Sequence, residues 1–218
     1  MLYIIATPIG NLEDITLRAL STLKKVSLIL CEDTRRSKKL LSHYNIETQT
    51  SSYNDTNCKY KTKHVIDILK QDKDIALVSD SGTPGISDPG FYLVRECVKE
   101  NIQVSPIPGT SAITASLPCS GLPTDKFSFL GFIPKTSGKK QRFLEEIKDT
   151  DHTAIFYESP HRIIKTLNLM SEIIPDKKLV IARELTKKFE EFIRGTVKEV
   201  YEETKDKKIK GEIVLILN

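Results

Sequence analysis

The 218-residue sequence predicts an α/β fold arranged as two lobes. Two observations predict it. Short β-branched and aliphatic runs alternate with segments whose apolar positions recur at helical spacing, which is the pattern of strands joined by helical crossovers. The alternation is interrupted at the "SGLP" turn, Ser120 to Pro123, and then restarts. A boundary beside that turn gives an N-terminal α/β domain of residues 1–118 and a C-terminal α/β domain of residues 119–218, with a ligand cleft expected between them.

In chain order, Leu2 to Ala6 reads as a strand, and Leu17, Leu20, Leu23 and Lys24 follow at helical spacing. Ser27 to Cys31 is a second strand, followed by helical patterns through Leu40, Leu41 and Tyr44 and through Val65, Ile68 and Leu69. Ile75 to Val78 and Val104 to Ile107 are strands on either side of an amphipathic helix from Phe91 to Val98. Small residues after Gly109 let a further helix begin, with the Thr110 and Ser111 hydroxyls able to cap it or to bond a ligand. In the second half Phe127 to Phe132, Ala154 to Tyr157, Leu179 to Ala182 and Ile213 to Leu217 read as strands. Lys139 to Ile147, Arg162 to Ile173 and Val197 to Glu203 read as helices between them.

Composition bounds the function classes. Apolar residues at 39% and charged residues at 28% are ordinary for a folded globular protein. No apolar run approaches the roughly 20 residues that span a bilayer, and the start "MLYIIATPIGNLEDIT" lacks the basic region and apolar core of a signal peptide, so a cytoplasmic location is expected. Cys31, Cys58, Cys97 and Cys119 are dispersed, without a C-x-x-C pair, and signal neither a metal site nor a disulfide framework. The formal charge of +4 permits a polyanionic partner without demanding one. No repeat or low-complexity tract appears, and "KDKKIK", Lys205 to Lys210, reads as a solvated turn.

The loops after the strands carry the informative chemistry. They are "ATPIGNLEDIT", "SDSGTPGISDPG", "PIPGTSAITAS" and "RELTKK". Ten of the twelve residues from Ser79 to Gly90 are Ser, Asp, Gly or Pro, so the backbone is sharply redirected beside a buried strand. That edge, outside the carboxyl ends of the strands, is where open α/β sheets bind ligands. Neither G-x-G-x-x-G nor G-x-x-x-x-G-K-[ST] is present, which argues against a dinucleotide fold or a phosphate-binding P-loop.

Five separated strings, "ATPIGNLEDITLRAL", "CEDTRRSKKLL", "SDSGTPGISDPG", "YESPHRI" and "RELTKKFEE", occur in an order that resembles the ribosomal RNA 2′-O-ribose methyltransferases acting on a decoding-centre cytidine of 16S RNA. These are a branch of the tetrapyrrole methylase superfamily. The resemblance covers essentially the whole chain. It implies a two-lobed tetrapyrrole methylase-like fold, a homodimer, and S-adenosyl-L-methionine held between the lobes. Its cofactor positions fall on Pro8; on Asp80, Ser81, Gly82, Thr83 and Ile86; on Ser111 and Ala112; and, in the second lobe, on Tyr157, Glu158, Leu185 and Thr186.

Methyl transfer to a ribose hydroxyl needs alignment, together with a base or a cation for the developing alkoxide. Asp33 and Arg35 of "CEDTR" and Glu184 and Lys187 of "RELTK" are the catalytic candidates. Small-subunit ribosomal RNA, expected within the assembled 30S particle, would be gripped by Arg36, Lys38 and Lys39, by Lys139, Lys140 and Arg142, and by Arg162. His161 reads as a capping or packing residue. Relatives commonly extend past the final strand, whereas this chain stops at "GEIVLILN", so a weaker RNA grip is expected. Two alternatives stand beside this reading. Tetrapyrrole C-methyltransferases of the same superfamily typically carry Gly-Asp-Pro where this chain has Gly82, Thr83 and Pro84, and they lack "EDTR" and "SPHR". A non-catalytic ribosome assembly factor would keep the lobes only as a scaffold and need not bind the cofactor.

Overall fold

The computed structural model describes residues 1–218. The chain divides into two compact units, Met1–Ser111 and Ala112–Asn218.

The first unit is built on a five-stranded sheet in which every pairing is parallel. In chain order it comprises β1 (Leu2–Ile5), α1 (Leu17–Lys25), β2 (Leu28–Cys31), α2 (Thr34–His43), β3 (Thr50–Ser52), α3 (Cys58–Leu69), β4 (Ile75–Val78), α4 (Phe91–Lys99) and β5 (Val104–Ile107). The strand order is β3-β2-β4-β1-β5. Strands covered by helices on both faces are apolar without alternation, and β4 is buried at every position. Apolar clusters lie around Leu23, Ile29 and Leu41 and around Leu30, Leu69 and Leu93. Helix starts follow local chemistry. The Thr16 hydroxyl accepts from the Ala19 N–H at 3.1 Å, and the Asp33 carboxylate accepts from the Arg35 N–H at 2.9 Å.

The second unit comprises α5 (Ala112–Ser120), β6 (Phe127–Phe132), α6 (Ser137–Lys148), β7 (Thr153–Glu158), α7 (Ile163–Ile173), β8 (Lys178–Arg183), β9 (Glu191–Thr196), α8 (Val197–Thr204) and β10 (Ile213–Leu217). Its sheet has the order β6-β7-β10-β8-β9 and is mixed. The β6·β7 pair is parallel, whereas β10 runs antiparallel to both β7 and β8, and β9 antiparallel to β8. The core gathers Leu144, Phe156, Leu167, Ile181, Val200 and Leu215. Because α5 packs on β10 and β8, the chain changes unit at Ser111 to Ala112, ahead of the boundary at residue 118.

Two strands lack a signal in the periodicity. The three residues of β3, Thr-Ser-Ser, are all polar; their pairing with β2 is backed by Lys61, whose ammonium donates to the Ser52 carbonyl at 2.6 Å and to the Ser51 hydroxyl at 3.0 Å. In β9 the sequence Glu-Phe-Ile-Arg-Gly-Thr does not alternate cleanly, and the strand is fixed by six-residue register with β8. No helix is long and apolar enough to cross a membrane.

Candidate functional site

Parallel pairing places the carboxyl ends of all strands of the first sheet on one edge, and β4, β1 and β5 are consecutive neighbours running from its centre to its margin. Their following loops are tied together by main-chain and hydroxyl bonds. Thr7 and Gly82 exchange reciprocal N–H to carbonyl bonds, each 2.9 Å. The Thr7 hydroxyl donates to the Ser79 carbonyl at 3.2 Å, the Thr110 hydroxyl donates to the Thr7 carbonyl, and the Thr83 hydroxyl donates to the Thr110 carbonyl at 3.1 Å. Thr110 therefore joins loops instead of capping α5. Gly82 takes φ +80°, a conformation that disfavours any residue with a Cβ. At Gly109 a Cβ would stand 3.0 Å from that of Ala6. Three chain segments thus meet with little side-chain bulk and with their backbone close to the surface, which suits a ligand read by amides and carbonyls. Pro8, Ser81, Thr83, Ser111 and Ala112 are partly exposed around this cluster, Gly82 is buried within it, and Ile86 is 42% exposed further along the β4 loop.

An acidic and basic set lies at the ends of β2 and β4. The Asp80 N–H donates to the Glu32 carboxylate at 3.2 Å, while the Asp33 N–H donates to the Asp80 carboxylate at 3.1 Å. Arg36 sits 3.4 Å from Asp80. Arg35 grips Asp33 through two side-chain bonds, at 3.0 and 2.6 Å. That side-chain bond first, and the Arg35 amide second, hold the Asp33 carboxyl down at about 2. Asp33 is thus a helix cap and an ion-pair partner, and a weak base. Burial raises Glu32, and burial followed by the nearby Glu32 charge pushes Asp88 up to about 6. Arg35, Arg36, Lys38 and Lys39 are exposed on α2.

In the second unit Glu158 is buried, and both of its oxygens are occupied. Arg162 donates to Oε1 at 2.6 Å, Thr166 donates to Oε2 at 2.5 Å, and Lys140 lies 3.6 Å from Oε2 and donates to the Thr166 hydroxyl at 2.6 Å. Lys140 is a correction to the basic patch on α6. It shares the inward face with Leu144 and Ile147, four and seven residues further along the helix, and its side chain is 8% exposed. Lys139 and Arg142 are exposed as expected; Arg162 is partly buried against Glu158. The Tyr157 ring packs edge-on against Phe129 and Phe132.

The segment after β8 folds into a loop held by charge. Lys187 bonds Glu184 at 2.9 Å and Glu212 at 3.0 Å. The Lys187 bond, against some burial, lowers the Glu184 carboxyl; for Lys187 burial opposes its charge, but the bonds to Glu184 and Glu212 prevail and raise it. Glu184 and Thr186 both have positive φ, +50° and +64°; non-glycine residues held so cost on the order of 1–3 kcal/mol each and gather at functional sites. Leu185 is buried, at 7% exposure.

The sequence motifs did not single out Thr7, Glu32 or Asp88. Each sits one or a few residues from a residue that they did select, and the available signal was position at the end of a strand beside a neighbouring loop.

Residues 1–201 match the model of the tetrapyrrole (corrin/porphyrin) methylases. The chain is 52% identical over its full length to a protein of Hydrogenobaculum named ribosomal RNA small subunit methyltransferase I, covering 95% of it. Proteins of the same name from Halalkalibacterium halodurans and Thermotoga maritima are 50% and 47% identical, over 99% and 100% of this chain and 75% and 97% of theirs. Among solved structures, a cobalt-precorrin-4 methyltransferase of cobalamin biosynthesis matches with TM-score 0.71 at 17% identity, covering all of this chain and 94% of that one. Uroporphyrin III C-methyltransferase from Thermus thermophilus matches with TM-score 0.66 at 16% identity, covering all of this chain and 96% of that one.

Proposed function

Because the chain belongs to the tetrapyrrole (corrin/porphyrin) methylases, we propose that it methylates the 2′-hydroxyl of a decoding-centre cytidine in small-subunit ribosomal RNA, using S-adenosylmethionine. The enzyme is an S-adenosylmethionine-dependent ribosomal RNA methyltransferase. The observation that carries this reading is identity of about half, along the entire chain, to proteins named ribosomal RNA small subunit methyltransferase I. The solved neighbours, at 16–17% identity, speak for the fold alone, so tetrapyrrole C-methylation gains no support from them beyond architecture.

The residues of the first unit fit the cofactor. Gly82 and Gly109 let the backbone come close, and the Thr7, Thr83 and Thr110 bonds fix three loops in one arrangement before any ligand arrives. When bound, the cofactor supplies an electrophilic methyl group on a sulfonium. Pro8, Asp80, Ser81, Gly82, Thr83, Ile86 and Ser111 are the proposed contacts in this unit; Ala112, Tyr157, Glu158, Leu185 and Thr186 are proposed separately from the second. For Glu158 the contact would be main-chain, since its carboxylate is engaged by Arg162 and Thr166.

The remaining work belongs to the chain's own charges. Fixing the reacting groups supplies about 7–11 kcal/mol, and easing the proton from the hydroxyl adds roughly 10²–10⁴-fold. Lys187, held protonated by two carboxylates, suits stabilisation of the developing alkoxide better than proton abstraction. Asp33 and Glu184, both with lowered carboxyl pKa, are the weaker choices for a base. Arg36, Lys38 and Lys39 on α2 and Lys139 and Arg142 on α6 offer exposed charge to phosphates, with Arg162 proposed beside them; Arg35, paired with Asp33, is proposed as a cation for the developing alkoxide. A homodimer, a cytoplasmic setting and an assembled 30S particle as substrate complete the proposal.

Incubation with methyl-labelled cofactor and unmodified small-subunit particles, followed by alkaline hydrolysis, tests it. Label retained in one alkali-resistant dinucleotide is expected. Label released in an ordinary mononucleotide would mean base methylation, and no label in RNA would remove the assignment.

A further inference from the structure

We propose that Phe189, backed by Lys188, is a stacking platform for an unpaired base of the RNA substrate; this rests on the ribosomal RNA reading above. Phe189 is 65% exposed in the loop between β8 and β9. A single exposed aromatic is ordinary on a protein surface. What sets this one apart is how firmly its loop is tied while the ring is left outside.

The stem closes on the Arg183–Glu191 pair at 2.5 Å. Within the loop the Lys187 N–H donates to the Glu184 carbonyl at 3.0 Å and the Glu190 N–H to the Lys187 carbonyl at 3.1 Å, two turns in succession. The Thr186 N–H donates to the Glu190 carboxylate at 2.7 Å, and Leu185 anchors the loop in the core. Lys187 is bound by Glu184 and Glu212, and Gly211 lies so close to the Glu184 side chain that a Cβ there would overlap it. These bonds maintain two non-glycine residues at positive φ, Glu184 and Thr186. The ring is therefore presented by a preorganised loop rather than by a mobile one.

Its surroundings match a nucleotide. The Lys188 ammonium stands 5.7 Å from the ring centroid, so a base lying on Phe189 would bring its phosphate beside a cation. Proteins that choose a site in RNA stack unpaired bases on aromatic rings, because the A-form major groove hides the base edges. Sequence-tolerant stacking of this kind is strong without hydrogen-bond readout. The other highly exposed rings lie on regular elements: Tyr60 on α3, Phe132 on β6 and Phe91 on α4, the last beneath the Arg95 guanidinium at 5.8 Å.

The test compares the full-length wild type with Phe189→Ala, Phe189→Leu and Phe189→Trp on unmodified small-subunit particles, reading kcat and KM for methyl transfer, with calorimetric titration of S-adenosylmethionine and thermal melting alongside. Expected is a roughly ten- to hundredfold loss in kcat/KM for Phe189→Ala and Phe189→Leu, carried by KM, with Phe189→Trp within about twofold of wild type. Cofactor affinity and melting stay unchanged, since the ring is exposed. Phe189→Leu at wild-type efficiency, or Phe189→Trp as impaired as Phe189→Leu, overturns the platform. A wild type that binds the cofactor yet labels no RNA instead overturns the ribosomal RNA reading, and the platform with it.

Discussion

Asp88 shows how much of a site can hide in one residue. Burial first and the Glu32 charge second push its carboxyl up to about 6, from an ordinary value of 3.8. The folded chain thus holds the Asp88 proton more tightly than the unfolded chain does. The resulting stability is complete below about 3.8 and is lost as pH rises through about 6. Asp88→Asn keeps a neutral side chain at every pH, so in urea unfolding it should gain on wild type across that window, and a constant difference between the two would contradict the account. Nothing in "SDSGTPGISDPG" distinguishes Asp80 from Asp88, since burial and the neighbouring Glu32 are products of folding. The same holds for Asp33: its place after β2 was legible, but its Arg35 partner, which weakens it as a base, follows from rotamers.

At the scale of elements, the buried set of Lys140, Glu158, Arg162 and Thr166 joins α6, the end of β7 and the start of α7. Two cations converge on one carboxylate that is shut off from water, so removing the carboxylate strands both. Glu158→Ala should cost about 3–5 kcal/mol in unfolding free energy, whereas Lys139→Ala, exposed one residue away from Lys140, should stay within about 0.5 kcal/mol. Equal costs for the two would mean that the buried network carries no special weight. The strands β1, β2, β4, β7, β8 and β10 were legible because buried sheet positions are apolar runs, whereas β5 and β6 were legible from their β-branched and aromatic residues, although no residue of β6 is buried. The strands β3 and β9 were not, because their polar residues pair through main chain and clasping side chains. Lys140 was misread for a related reason: its charge suggested surface, while its spacing from Leu144 and Ile147 placed it on the inner stripe.

For the whole molecule, the α/β class and its division into two units could be read from alternation, but the mixed direction of the second sheet could not, since strand direction depends on which neighbours pair. The loops proposed to hold the cofactor were legible as turn-rich strand ends, and the chemistry proposed for them through five strings that no periodicity explains. What stayed hidden is the lashing itself, in which Thr7 receives Gly82 and Thr110 and so turns three loops into one surface. If this surface holds the methyl donor, a crystal structure of the chain with S-adenosylhomocysteine will show the ligand against the main chain of Gly82, Thr83, Ser111 and Ala112. A ligand bound away from these loops, or loops that come apart with Thr7 released from Gly82, would contradict it.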